Sequence, residues 1–432
     1  MNGPDAPTST SPTVGTSLPP DVVADPIIDV LADDDDVDLV GLGDRRIVHN
    51  FAEPQAEYAA LHKACGLMPR ADLGVVEAKG KDALNFLNNL LTNGLIDKET
   101  KTPMTIGTGC YSFFLNLRGR VVADMTVLRA EEDAVLLLTS RPFATVLAKS
   151  LDRYRFSEKV RFNVLSEALY VLSLLGPTRL DVLNDAADRS MKMPERPVGF
   201  PATSFVPLSQ TSIGGVSVTA LEHHAGELPA THLIVPTDRV LGVWNDLTTR
   251  FGETVDDRRY GQRRLRPVGW AMYNAVRIEH GVPLVGVDFE PAPPSVPGRK
   301  KDAAPEPKGG SLPAETGPLF DLAVSVTSGC YLGQEVVARM HARQARAKNL
   351  VGLKMSEDAL PAAGVPVEID EKEVGVVTSS TLSPVLSMAP IALATLKRPH
   401  FEIGTKVMVP AEGQRVEATV VDLPFVPVES QL

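Results

Sequence analysis

At 432 residues the chain exceeds what one compact core usually organises, and it reads as roughly two to four domains. Its 44% apolar and 22% charged residues are those of globular material, and a formal charge of -11 excludes the broad basic surface of a general nucleic-acid binder. No apolar run approaches the ~20 residues of a membrane helix, so no membrane partner is expected. Cys65, Cys110 and Cys330 are too few and too scattered for a disulfide framework, a C-x-x-C metal site or the thiolate set of an iron–sulfur cluster. A reducing, cytoplasmic setting without a resident metal is therefore expected.

In chain order, residues 1–45 combine a Pro/Ser/Thr-rich stretch with the acidic run Asp33–Asp36, and they read as a disordered tail. They lack the pattern of a secretory or mitochondrial leader. Order is expected from Arg46. A helix is predicted over Phe51–Gly66 and a strand over Leu73–Ala78. A second helix follows, with Ala83, Phe86, Leu87 and Leu90 on one face. Tyr111–Leu117 and Val121–Leu128 read as strands joined by a turn at Arg118-Gly119. Ala134–Thr139 is a further strand and Phe143–Arg153 a helix, giving a first α+β unit over 46–159.

A second α+β unit is expected over 160–289. It holds strands at Ala168–Leu175, Val216–Leu221 and His232–Val235, and helices at Arg179–Asp188, Val240–Phe251 and Trp270–Ile278. The last helix is stopped by Gly281 and Pro283. Its order of elements is similar to that of the first unit, without a residue-level repeat. Residues 290–311, rich in Pro, Gly and Lys, read as a flexible loop. Residues 312–349 carry a cysteine motif and a helix. The remainder, 350–432, shows six short strands, at Leu350–Lys354, Pro366–Ile369, Val374–Ser379, Ile391–Leu396, Lys406–Val409 and Val416–Val421. That spacing points to a small β-barrel or sandwich.

Three stretches carry chemistry. In Ser328-Gly329-Cys330-Tyr331-Leu332-Gly333-Gln334-Glu335, a thiol precedes a helix start, where partial positive charge favours thiolate; the alternative is a buried cysteine packed as a small hydrophobe. In Arg277-Ile278-Glu279-His280-Gly281-Val282-Pro283, Arg277 and Glu279 either pair with each other or bind a ring bearing N–H donors and a carboxylate. In Asn116–Asp124, Asp124 interrupts an apolar strand, so it either faces a cavity or pairs with a neighbour such as Arg120.

Together these stretches resemble the folate-binding YgfZ proteins, relatives of the glycine-cleavage T-protein, whose signature reads K-G-C-[FY]-x-G-Q-E. Gly119-Arg120-x-x-x-Asp124, Arg277-Ile278-Glu279-x-Gly281-x-Pro283 and Leu312-Pro313-x-Glu315 are similar to further stretches of that family, in the same order. So are Val374-Gly375-x-Val377-Thr378-Ser379 and Leu423-Pro424-Phe425. The resemblance implies a T-protein-like fold, two related α+β units and a C-terminal barrel around a tetrahydrofolate site. It also implies a role in assembly or repair of iron–sulfur clusters in client proteins. By position, Asp124 would meet the pterin and Arg277 and Glu279 would line the site. Trp270 and Tyr273 would stack on the ring, Gln334 and Glu335 would flank the ligand, and Cys330 would be the reactive thiol. Ser328 stands where the family has lysine. The alternatives are an aminomethyltransferase, moving a one-carbon unit to tetrahydrofolate, and a non-catalytic folate-binding module. T-proteins carry a G-Y-T-G-E stretch whose glutamate binds folate, and none lies between Gly214 and His232.

Overall fold

A computed structural model describes residues 23–189, 205–223, 229–252, 264–297, 308–325, 331–343 and 346–426. Order begins earlier than expected. Residues 23–45 carry a short helix α1 (Ile28–Leu31) and strand β1 (Val37–Leu42), which pairs antiparallel with β2 (Arg45–Phe51). The physical reason lies in Ile27 and Ile28, both wholly buried, and in Asp25, whose carboxylate accepts from the Ile27 and Ile28 backbone N–H groups. The acidic composition of the region hid this short apolar anchor. The helix expected over Phe51–Gly66 is shorter, α2 (Pro54–Lys63), because Phe51 completes β2 and Pro54 sets the first turn. Its tail becomes a strand, β3 (Cys65–Pro69), all of whose residues are buried.

The rest of the first half holds β4 (Leu73–Lys79), α3 (Ala83–Asn88), β5 (Thr108–Leu115), β6 (Val121–Arg129), β7 (Ala134–Ser140), α4 (Arg141–Asp152) and β8 (Arg161–Val164). The second half holds β9 (Leu169–Leu175), α5 (Arg179–Ala186), β10 (Phe205–Ile213), β11 (Val216–His223), β12 (Ala230–Pro236), α6 (Val240–Phe251), β13 (Leu265–Pro267) and α7 (Trp270–Glu279). These strands form one sheet in the order β13-β3-β9-β12-β11-β10-β5-β6-β7-β4-β8. The expected division at 159/160 is not followed by the sheet. β3, early in the chain, lies between β13 and β9, whereas β8 pairs with β4. The halves meet through β10 and β5, in the short register Phe205↔Cys110 to Pro207↔Thr108.

Two short helices follow, α8 (Leu319–Ala323) and α9 (Gln334–Arg343). The chain then closes a six-stranded barrel of β14 (Lys348–Met355), β15 (Pro366–Ile369), β16 (Lys372–Ser383), β17 (Ala389–Lys397), β18 (Lys406–Ala411) and β19 (Gln414–Val421). Each strand points alternate apolar residues inward, with Leu353, Val367, Val377, Leu396, Val409 and Val420 wholly buried. The fold is T-protein-like: mixed α/β domains followed by a six-stranded barrel. Among the described residues, no helix is long and apolar enough to cross a membrane.

The loop expected over 290–311 is anchored at both described ends. The Ala292 N–H bonds the Val121 carbonyl, and the Val121 N–H bonds the Ser311 carbonyl. Arg120 donates to the Gly310 carbonyl, and Asn116 Nδ2 donates to the Pro293 carbonyl at 3.1 Å. These flanks thus line the start of β6 as pseudo-strands, which satisfies backbone groups that composition alone marked as loop.

Candidate functional site

A cavity opens beside the centre of the sheet. Tyr111 on β5, Asp124 and Thr126 on β6 and Thr139 on β7 come from the first half; His223 on β11 and His232 on β12 come from the second. Trp270 and Tyr273 of α7 and the segment from Val282 to Val287 form the opposing wall. Leu42, at the end of β1, also reaches it.

Asp124 is half-buried as a residue, but its carboxylate is sheltered. Tyr111 Oη donates to Oδ2 at 2.6 Å, while Oδ1 is shut off from solvent without a hydrogen-bond partner. Burial pushes its pKa above the usual carboxylate value, and the Tyr111 hydrogen bond works against that shift. Asp124 therefore lines the cavity and also pairs with a neighbour, which is Tyr111. Arg120 is turned away onto Gly310. The Tyr111 backbone is fixed by Asn93, whose Nδ2 donates to its carbonyl at 2.7 Å and to the Leu322 carbonyl at 2.8 Å.

Trp270 and Tyr273 come together at the cavity with ring centroids 5.6 Å apart. Arg70, just after β3, forks onto Asp72 through two 2.8 Å bonds and lies over the Tyr273 ring at 4.7 Å. One face of Tyr273 is thus taken by a guanidinium.

Arg277 and Glu279 are not part of this wall, and they do not pair with each other. Arg277 donates to Asp288 Oδ2 at 2.7 Å, Ser379 Oγ at 2.7 Å, the Val282 carbonyl at 3.0 Å and Asn274 Oδ1 at 2.8 Å. Asp288 also accepts from Thr378 and Ser379 of β16. Glu279 accepts from Tyr58 Oη at 2.8 Å and from Ser383 Oγ at 2.5 Å. The Phe425 N–H bonds the Glu279 carbonyl, and Gly281, at φ +70°, leaves room for Leu423. Arg277–Pro283, the Thr378-Ser379 pair and Leu423–Phe425 therefore converge on one buried joint between α7 and the barrel. Arg277 and Glu279 are held in a structural lock here, by partners in the segment just after α7 and in the barrel.

Cys330 and Ser328 lie outside the described residues, so the expected reactive thiol has no placement to report. Both flanks are described. The Ser325 N–H bonds the Thr92 carbonyl, and Tyr331 is buried in an apolar cluster with Tyr111, Val285 and Leu319, three residues that line the cavity. Gln334 and Glu335 occupy the first turn of α9, with Glu335 exposed, and neither lines the cavity. Gly333 has a local reason: at φ +79°, a Cβ there would stand 2.7 Å from the Gly119 Cα and 2.9 Å from the Asn116 carbonyl oxygen. Gly119, at φ +69°, in turn lies against Val336. The two glycines make a backbone-to-backbone contact that seats α9 on the β5–β6 turn. Cys65 and Cys110 are wholly enclosed, and burial pushes both thiols up to about 12. Among the described residues, no cluster of His, Cys, Asp or Glu is arranged to hold a metal ion.

Sequence reasoning missed Tyr111, Arg70, His223 and His232. Tyr111 was visible only as the first residue of a predicted strand, His223 fell beyond the strand expected at Val216–Leu221, and the inward face of the strand holding His232 could not be assigned without the sheet order.

Residues 46–293 match the family described as GCVT N-terminal domain, and residues 348–427 match the glycine cleavage T-protein C-terminal barrel domain. The chain belongs to the glycine cleavage T-protein family. Among its relatives, an aminomethyltransferase of Bacillus pumilus (strain SAFR-032) is 24% identical over 375 residues, spanning 87% of this chain and 91% of the relative. An aminomethyltransferase of Saccharopolyspora erythraea is 25% identical over 388 residues, spanning 88% and 92%. The crystal structure of glycine cleavage system aminomethyltransferase T from Bartonella henselae superposes with a TM-score of 0.69 at 20% identity, covering 93% of this chain and 97% of that one. That likeness establishes a shared fold across both halves and the barrel.

Proposed function

We propose that this T-protein family member binds a reduced folate in the Asp124 cavity and acts as a one-carbon-transfer protein of aminomethyltransferase type. The observation that carries the reading is the Asp124 carboxyl: one oxygen held by Tyr111, the other buried, unpartnered and set in the wall of a cavity with aromatic sides. A buried acceptor without a donor is costly unless a ligand supplies one. The ring N–H and amino groups of a reduced pterin are such donors, and the Trp270 ring in the cavity wall offers flat apolar contact. Burial raises the Asp124 pKa above its ordinary value, which makes the carboxyl a better proton acceptor than an exposed one. A bound tetrahydrofolate would supply the nitrogen that accepts the one-carbon unit. The residues of the chain hold that ring, orient it and move a proton at Asp124 Oδ1. The relatives named aminomethyltransferase support this class of chemistry.

A second reading, an accessory protein for iron–sulfur cluster assembly or repair, is favoured by one feature: the Ser328–Glu335 stretch with Cys330, together with the lack of G-Y-T-G-E between Gly214 and His232. Tetrahydrofolate titration of the wild type and Asp124→Ala tests the shared folate claim, and no binding by the wild type would remove it. A glycine-cleavage exchange assay with purified lipoyl carrier separates the two readings. Turnover that depends on Asp124 supports the transferase. Its absence, with loss of iron–sulfur enzyme activity in cells carrying Cys330→Ala, supports the accessory role.

A further inference from the structure

Two histidines that no motif singled out face the same cavity from the second half of the sheet. His223 and His232 sit on adjacent strands, β11 and β12, 8% and 4% exposed, with ring centroids 5.2 Å apart. Histidine pairs in sheet interiors are uncommon because each ring must be satisfied or must meet something polar. His232 is anchored through Nδ1, 2.7 Å from Ser173 Oγ on β9, and His223 Nδ1 lies 3.4 Å from Thr126 Oγ1 on β6. With Nδ1 engaged by Ser173, Nε2 is the nitrogen His232 can offer to the cavity. The Tyr111 ring meets His223 edge-on at 6.1 Å, and Tyr111 in turn holds Asp124. A polar seam therefore runs across the cavity from Asp124 through Tyr111 to the two imidazoles.

We propose that His223 and His232 form the second polar anchor of this cavity, a pair of imidazoles that hydrogen-bonds a second edge of the heteroaromatic ligand that Asp124 holds. The proposal rests on the folate reading and deepens it, by assigning the recognition of the second ring edge to neutral donors and acceptors rather than to a carboxylate. Three features favour it. His232 and His223 reach the cavity from the half of the sheet that contributes no acidic side chain to the described lining. His232 is held from behind by Ser173, which does not line the cavity, as a binding group must be. Burial, then His223, then Arg70 push the His232 pKa well below its ordinary value, so this ring stays uncharged at neutral pH.

The test uses the full chain and tetrahydrofolate itself, read through the fluorescence of Trp270 in the cavity, with Trp270→Phe to assign the signal. Asparagine at 232 reproduces Nδ1 and its bond to Ser173 but deletes Nε2. His232→Asn is therefore expected to melt close to the wild type while binding about 5–10-fold more weakly, the weight of one hydrogen bond to a neutral group. Glutamine places its amide nearer Nε2, so His232→Gln is expected to bind more tightly than His232→Asn. A third variant, His223→Leu, is expected to weaken binding as well. If the wild type binds tetrahydrofolate, and His232→Asn and His223→Leu bind with unchanged affinity, the anchor is overturned while the folate reading stands. If the wild type does not bind, both fall.

Discussion

The Arg277 lock decides between two roles that the sequence left open, and its removal has a calculable cost. The Arg277 side chain is 2% exposed and that of Asp288 is 0% exposed, with 2.7 Å between Nη1 and Oδ2. In Arg277→Met, Asp288 keeps the Leu284 N–H and the Thr378 and Ser379 hydroxyls, so its charge retains donors. In Asp288→Ala, the buried guanidinium keeps only neutral partners: the Val282 carbonyl, Ser379 and Asn274. Breaking a buried pair from one side costs about 3–5 kcal/mol; we expect Arg277→Met near the lower end and Asp288→Ala near the upper. Because both members of the pair bond Ser379 of β16, the loss should appear as early release of the barrel in urea. Equilibrium unfolding, followed beside tetrahydrofolate titration of the folded protein, reads both effects. The expected result is a large drop in stability with affinity changed less than about twofold. The reverse pattern, stability within about 1 kcal/mol of wild type but binding abolished, would show that Arg277 serves the ligand and would refute the structural assignment.

Asp124→Asn should separate stability from function. Burial raises the folded pKa of Asp124 above its usual value of 3.8. The protonated group therefore supports folding fully below that value, and the support is lost as pH rises through the folded pKa. At pH 7 the asparagine variant, which still accepts from Tyr111, should be more stable than wild type by about 1 kcal/mol, with the gap closing towards pH 4; a wild type that is the more stable at pH 7 would contradict this. Gly333→Ala forces a Cβ into the Gly119 backbone at positive φ, and a loss of about 2–3 kcal/mol is expected in thermal unfolding. With the thiols of Cys65 and Cys110 pushed up to about 12, brief alkylation of the native protein at pH 7.5 should leave both unmodified, as mass spectrometry of the peptides would read. Rapid labelling of either buried cysteine would contradict the enclosure described for it.

The legible parts were those with local causes. The stop of α7 at Gly281, the Arg118-Gly119 turn and the six barrel strands follow from glycine conformation and alternation, which neighbouring residues encode. Asp124 was legible because a carboxylate in an apolar strand demands an explanation. What stayed hidden depended on partners distant in the chain. Arg277 and Glu279 looked like ligand groups because Asp288, Ser379, Tyr58 and Ser383 are up to 221 residues away. His223 and His232 needed the order β12-β11-β10-β5-β6 before they could be placed across from Asp124. Residues 23–45 were concealed by their charge, since Ile27 and Ile28 are too short an apolar run to outweigh the acidic stretch that follows.

The junction of β10 with β5 has a consequence for how a ligand comes and goes. Because the halves share a continuous sheet, they cannot swing apart like two jaws without tearing the Phe205↔Cys110 to Pro207↔Thr108 ladder. The floor of the cavity is thus a fixed plate spanning both halves. The rest of the wall, the irregular run from Val282 to Val287 and the β1–β2 hairpin carrying Leu42, lies outside that plate. A chamber with such a floor can change its volume only at these thinner sides.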